Sequence, residues 1–155
     1  MPVMDASSST EYPSTCCDTH ANAPVTVSMP AQPGEFVYVL ATGLGPTSTQ
    51  NQATGEIFPG GSADPPLVPV DSILTGSFAA TIVSATLVPG TVGVYNVLMQ
   101  LSSSATTDAE SQTTIAQQTF VSNVVTFPIQ QPGYPFSANV LAAAAGNARR
   151  RLAQR

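Results

Sequence analysis

The chain of 155 residues contains no tryptophan, one histidine and two cysteines, and all four of its basic residues are arginine. Each shortage closes a class of function. A hydrolytic triad needs a histidine beside a nucleophile and an acid. The single His20 falls in an amino-terminal stretch rich in Ser, Thr and Asp, away from the strand-forming segments, and no Gly-x-Ser-x-Gly elbow occurs. The cysteines are the neighbours Cys16 and Cys17. They make no disulfide framework, and bridging each other conflicts with the usual Cα separation of about 4.4–6.8 Å. Zinc sites space their cysteines by about two to four residues, so this pair fails as a metal site. Two readings remain for Cys16 and Cys17: an inter-chain disulfide, or no special role.

Charge is scarce and lopsided. Charged residues make up 8% of the chain, against about 25% in ordinary globular domains. Arg149, Arg150, Arg151 and Arg155 are the only cations, and nine acidic residues precede them, for a net charge of −5. A body of that sign repels nucleic acid and anionic membranes, which both need a basic face. No apolar run approaches the roughly 18 residues of a membrane-spanning helix. The first residues also lack the basic-then-apolar order of a secretory leader. Glu35, Glu56, Asp64, Asp71, Asp108 and Glu110 are scattered and read as solvated surface rather than as a glycosidase-like carboxylate pair. Neither a calcium loop nor a phosphate-binding glycine loop is present. The expectation is a protein without catalytic residues, bound metal or cofactor.

What the chain does have is strand pattern punctuated by glycine and proline. Apolar or alternating segments fall at 25–29, 35–41, 68–74, 79–88, 94–101, 113–121 and 124–129. The segment 35–41 is apolar on both faces and is expected at the centre of a sheet. In 94–101, Tyr95, Val97, Met99 and Leu101 alternate with polar neighbours and should face the core. Phe36 or Val37, Tyr38, Ile82, Val125, Phe127 and Ile129 complete the expected core. Gly76, Pro89-Gly90 and Ser122-Asn123 read as turns. Residues 102–111 read as a polar loop. The stretch 47–66 is a long loop of the kind that is usually functional or mobile. About seven short strands separated by turn signals indicate an all-β, antiparallel β-sandwich.

Three segments in order carry a resemblance: Ala41-Thr42-Gly43-Leu44-Gly45-Pro46; then Val88-Pro89-Gly90-Thr91-Val92-Gly93-Val94-Tyr95-Asn96-Val97; then Ser122-Asn123-Val124-Val125-Thr126. Over roughly residues 33–129 the chain resembles the immunoglobulin-like C-terminal domain of secreted acidobacterial (Solibacter-type) proteins. The resemblance implies an immunoglobulin-like sandwich, an extracellular or cell-surface location with a leader that is cleaved, misread or left out of the sequence, and a module without assigned chemistry. The tryptophan and internal cysteine pair of antibody domains are absent, so the antibody hallmark does not contribute.

The organisation expected is an extended amino-terminal tail at 1–23, the immunoglobulin-like domain at 24–131, and a carboxy-terminal tail at 132–155. In that tail Ser137 is placed to cap a helix over 138–145. Continued further, it would align Leu141, Ala145, Ala148 and Leu152 on one face. Leu141, Leu152, Arg149, Arg150 and Arg151 are then the candidate docking residues, the arginines complementing an acidic body. A frayed tail is the competing reading. Tyr134, beside Pro135 and Phe136, is the one aromatic patch outside the strands, and docking on its own domain is its expected use.

The functional expectation is a non-catalytic structural or adhesive module. Its partners would be other protein subunits, including copies of itself in a filament or surface layer. The alternative is carbohydrate binding through the 47–66 loop, which the lack of tryptophan disfavours.

Overall fold

The computed structural model describes residues 3–5, 24–47 and 55–137, the first three through their backbone. These residues form strands β1 (Val3–Asp5), β2 (Phe36–Thr42), β3 (Ser72–Thr75), β4 (Phe78–Leu87), β5 (Val94–Gln100), β6 (Asp108–Gln117), β7 (Phe120–Val121) and β8 (Val125–Ile129). Among the described residues there is no helix. The helix expected over 138–145 lies outside the described residues. So do Cys16, Cys17, His20, Leu141, Leu152, Arg149, Arg150 and Arg151.

The described residues are all-β, and every pair of strands is antiparallel. The order is β1-β2-β5-β4-β3-β6-β7, with β8 also on β6, and the sheet curls into a half-barrel. β4 produces the change of direction. Its first residues, Phe78 to Ala80, pair with β3. From Thr81 to Leu87 it pairs with β5, through a register shift between Ile82 and Ser84. Such a bulge bends a strand and increases its twist. One parallel contact, Ala31 with Ile129, ties the chain before β2 to β8.

The concave face is filled by alternation. Val37, Val39 and Ala41 from β2 meet Tyr95, Val97 and Met99 from β5, together with Ile73, Ile115, Phe127 and Ile129. Leu101 is buried as expected, whereas Ile82 and Val125 are half-buried. Tyr38 is also half-buried, because it alternates with Val37 and Val39 and faces away from them. β2 lies inside the sheet, between β1 and β5, and the strand beside it, β5, is the more fully enclosed. β5 is paired along its length on both sides, and Leu98 is buried on its second face. Among the described residues, the outer neighbour of β2 covers Val37 to Val39.

Three expected elements differ. Residues 25–29 form a tight turn, with paired bonds between the backbones of Thr26 and Met29 at 2.9 and 3.0 Å. The Thr26 hydroxyl also accepts the Met29 N–H at 3.2 Å. Short hydroxyl side chains offer the backbone this alternative to a ladder. Residues 108–111 are strand, not loop: β6 alternates from its start, but its inward positions are the polar Ser111 and Thr113. Those two are buried, and Thr113 reaches the Thr75 hydroxyl at 3.3 Å. Finally, the segment 113–121 is broken by a two-residue turn at Gln118-Thr119, and Gln117 pairs with Phe120 across it. Ser122-Asn123 interrupts β7 and β8, which both pair with β6.

Candidate functional site

The glycine-rich end of β2 is a turn held from three directions. Gly43 and Gly45 have φ of 82° and 85°, a left-handed backbone that a side chain disfavours. Between them Leu44 is buried. The Gly45 carbonyl accepts the Tyr95 hydroxyl at 2.8 Å. The Leu44 carbonyl accepts the Gln117 side-chain amide at 3.1 Å, and the same nitrogen donates to the Val68 carbonyl at 2.5 Å. The Pro46 carbonyl accepts the Leu67 N–H at 2.8 Å, closing the base of the long loop. The turn is thereby fastened to β5, to β6 and to the loop. Burial, and secondarily the Asp64 carboxylate, raises the Tyr95 hydroxyl above its ordinary pKa of 10.0. The phenol therefore stays a donor at neutral pH.

Beside this turn stands the β6–β7 hairpin. Gln118, at its tip, has φ of 54°, and its N–H donates to Asp71 Oδ2. Asp71 itself donates its backbone N–H to the Ala116 carbonyl at 2.9 Å. One residue thus fixes the hairpin against the segment preceding β3.

Between the end of β2 and the hairpin lies a cavity of about 220 Å³. Leu40, Ala41 and Leu44 line it from one side, and Phe120, Val121 and Val125 from the other. Phe120 and Val121 are 74% and 66% exposed, so they form the rim. The polar lining groups are amides and hydroxyls, such as Gln117, Ser122 and Asn123, and no lining residue titrates near neutrality. The cavity can take up an apolar group and offer it neutral hydrogen bonds.

The sequence-predicted candidates map elsewhere. The described end of the 47–66 loop folds onto the Pro89-Gly90 turn. The Phe58 N–H donates to the Thr91 carbonyl at 2.9 Å, and the Phe58 carbonyl accepts the Gly90 N–H at 2.8 Å. Phe58 is the loop's one aromatic residue and is buried. Of the Tyr134 patch, Phe136 is buried, as a docked patch requires, while the Tyr134 ring is 65% exposed and does not dock. Among the acids, Glu35 and Asp64 are buried rather than solvated. The Glu35 carboxylate accepts the Gln32 N–H at 2.6 Å, which closes the turn before β2. Among the described residues no group of three His, Cys, Asp or Glu side chains converges. The sequence pattern does not single out the cavity residues Leu40, Phe120 and Val121. Their signal is faint: a pair of strand formers just before the Ser122-Asn123 break.

The chain was compared with protein-family models, curated proteins and solved structures, and none of them matches it.

Proposed function

We propose that the chain is an immunoglobulin-like β-sandwich module of an exported bacterial protein, acting by surface contact without catalysis. The observation that carries the reading is the change of partner within β4. It divides the strands into β1-β2-β5-β4 and β3-β6, with β7 and β8 both on β6. The grouping of the first, second, fifth and fourth strands is that of the constant-type immunoglobulin order, with β7 and β8 in the place of its single last strand. Residues of both groups share one buried cluster, which supports a packed interior between two layers.

Function on such a frame lies in its edges and loops. Apolar side chains are exposed at the sheet edge and in loops, including Phe120, Val121, Ile57 and Tyr134. The described body carries acids and no base, whereas edge strands are commonly guarded by lysine. These features favour a structural or adhesive role, with self-assembly into an extracellular filament or surface layer as its sharper form. Carbohydrate binding through the 47–66 loop is disfavoured, because Phe58 faces the body and offers no sugar platform.

Light scattering over a concentration series tests the assembly reading, and a mass that rises with concentration is expected. A monodisperse monomer at high concentration defeats self-assembly. Glycan-array binding lost on substitution within residues 55–66 would install the carbohydrate reading instead. Reproducible turnover of a substrate, abolished by a single surface substitution, defeats the non-catalytic reading.

A further inference from the structure

Gln117 brings a fixed polar group to an apolar cavity. Its Nε2 donates to the Leu44 carbonyl at 3.1 Å and to the Val68 carbonyl at 2.5 Å. Only the nitrogen end of an amide can meet two carbonyls, so both donors are used and the side chain has one orientation. The other end, Oε1, accepts no hydrogen bond from the described residues. It is not sealed in either. Among the described residues, Asn96 Oδ1 is the one buried side-chain oxygen or nitrogen without a partner. Gln117 lines the cavity between β2 and β7. That wall therefore carries an amide whose donors are spent and whose acceptor is available.

The rest of the lining sets charge and size. The cavity runs from the exposed Phe120 and Val121 at its rim to Val39 and Thr113, which are 2% and 1% exposed. No lining residue is charged, and the chain as a whole carries −5. An ion entering there gives up hydration and meets no counter-charge. The volume of about 220 Å³ falls below the roughly 300–1,000 Å³ of pockets for drug-sized ligands. It exceeds the apolar cavity of about 150 Å³ that holds one benzene molecule. A single ring with one small substituent fits. We infer that this cavity binds a small neutral aromatic molecule bearing one hydrogen-bond donor, with phenol as the simplest case. The ring packs against Ile115 and Val121 and meets the Phe120 ring, a contact that favours an aromatic over an aliphatic guest. The hydroxyl donates to Gln117 Oε1. A guest without a donor strips water from Oε1 and leaves it unpaired. This binding goes beyond the proposed function and does not depend on it.

Phenol, anisole and benzoate, each titrated into the ¹⁵N-labelled full chain and followed by amide chemical shifts, test it. Phenol is expected to move the amides of Ile115, Gln117 and Val121 saturably at millimolar concentration. The exposed Ile57 and Tyr134 should stay in place. Anisole keeps the ring and caps the donor, and should bind about 2- to 10-fold more weakly. Benzoate, an anion, should leave the three amides unmoved. Phe120→Ala, at a position 74% exposed, should weaken phenol binding with the rest of the spectrum unchanged. The absence of saturable shifts at the three amides overturns the inference. Anisole binding as tightly as phenol overturns it too. So do phenol shifts spread equally over Ile57 and Tyr134, the mark of adsorption on any exposed apolar side chain.

Discussion

The hydroxyl of Tyr95 donates a 2.8 Å hydrogen bond to the carbonyl of Gly45, fifty residues earlier in the chain. It joins the middle of the sheet to the turn that ends β2. A buried tyrosine needs such a partner for its polar end, and a left-handed turn presents the carbonyl. Tyr95→Phe keeps the ring and removes the bond. It should cost about 0.5–1.5 kcal/mol, read as a lower urea midpoint with an unchanged slope.

The same hydroxyl sets an alkaline limit. Its pKa is raised in the folded protein, by burial first and then by Asp64. As pH rises past about 10, the ordinary tyrosine value, the unfolded chain releases this proton before the folded one does. The contribution to stability is complete below that pH and is lost as pH climbs through the folded value. Unfolding midpoints measured from about pH 8 to about pH 11, a range that brackets the ordinary tyrosine value, should fall at the alkaline end. Tyr95→Phe should flatten that fall relative to the parent.

Gly45 is expected to resist substitution for a reason of backbone rather than space. A Cβ built there meets nothing within 4 Å, yet φ is 85°. Gly45→Ala should destabilise by about 1–2 kcal/mol without disturbing the core, as thermal unfolding and an unchanged methyl spectrum would show.

Two hairpins turn on residues with the same sign of φ but opposite suitability. Gly76, between Thr75 and Phe78, has φ of 62°. Gln118, between Gln117 and Phe120, has φ of 54°. Gln118→Gly removes the side chain from a left-handed position and should stabilise by about 0.5–1 kcal/mol. Gly76→Ala should do the reverse, because its Cβ would also lie 3.1 Å from Ser111 Oγ. A pair of chemical denaturation curves checks both signs.

The packed interior gives the largest effect. Met99 is fully buried in the cluster with Val37 and Val97. Met99→Ala should cost about 2–5 kcal/mol through lost burial and a residual cavity, measured as the urea midpoint against the parent.

The strands are legible where burial is written in apolar residues. The alternation of Tyr95, Val97, Met99 and Leu101 matches their burial, and the break after β2 falls at the expected glycines. The start of β6 is hidden because its inward positions are Ser111 and Thr113, and Thr113 is held by the Thr75 hydroxyl rather than by hydrophobic contact alone. The turn at Gln118-Thr119 carries no glycine or proline signal. Its left-handed residue is a glutamine, held by an Asp71 that is distant in sequence. The cavity is illegible for a related reason. Its walls come from β2 and β7, which meet only through the curl of the sheet.

The central claim is that β4 changes partner midway and so divides the strands into two groups. Cross-strand backbone NOEs in the labelled protein test it most directly. The account expects contacts from Ala80 to Ile73 and from Ala85 to Val97 within the same strand. A β4 that pairs with a single neighbour from Phe78 to Leu87 would contradict it.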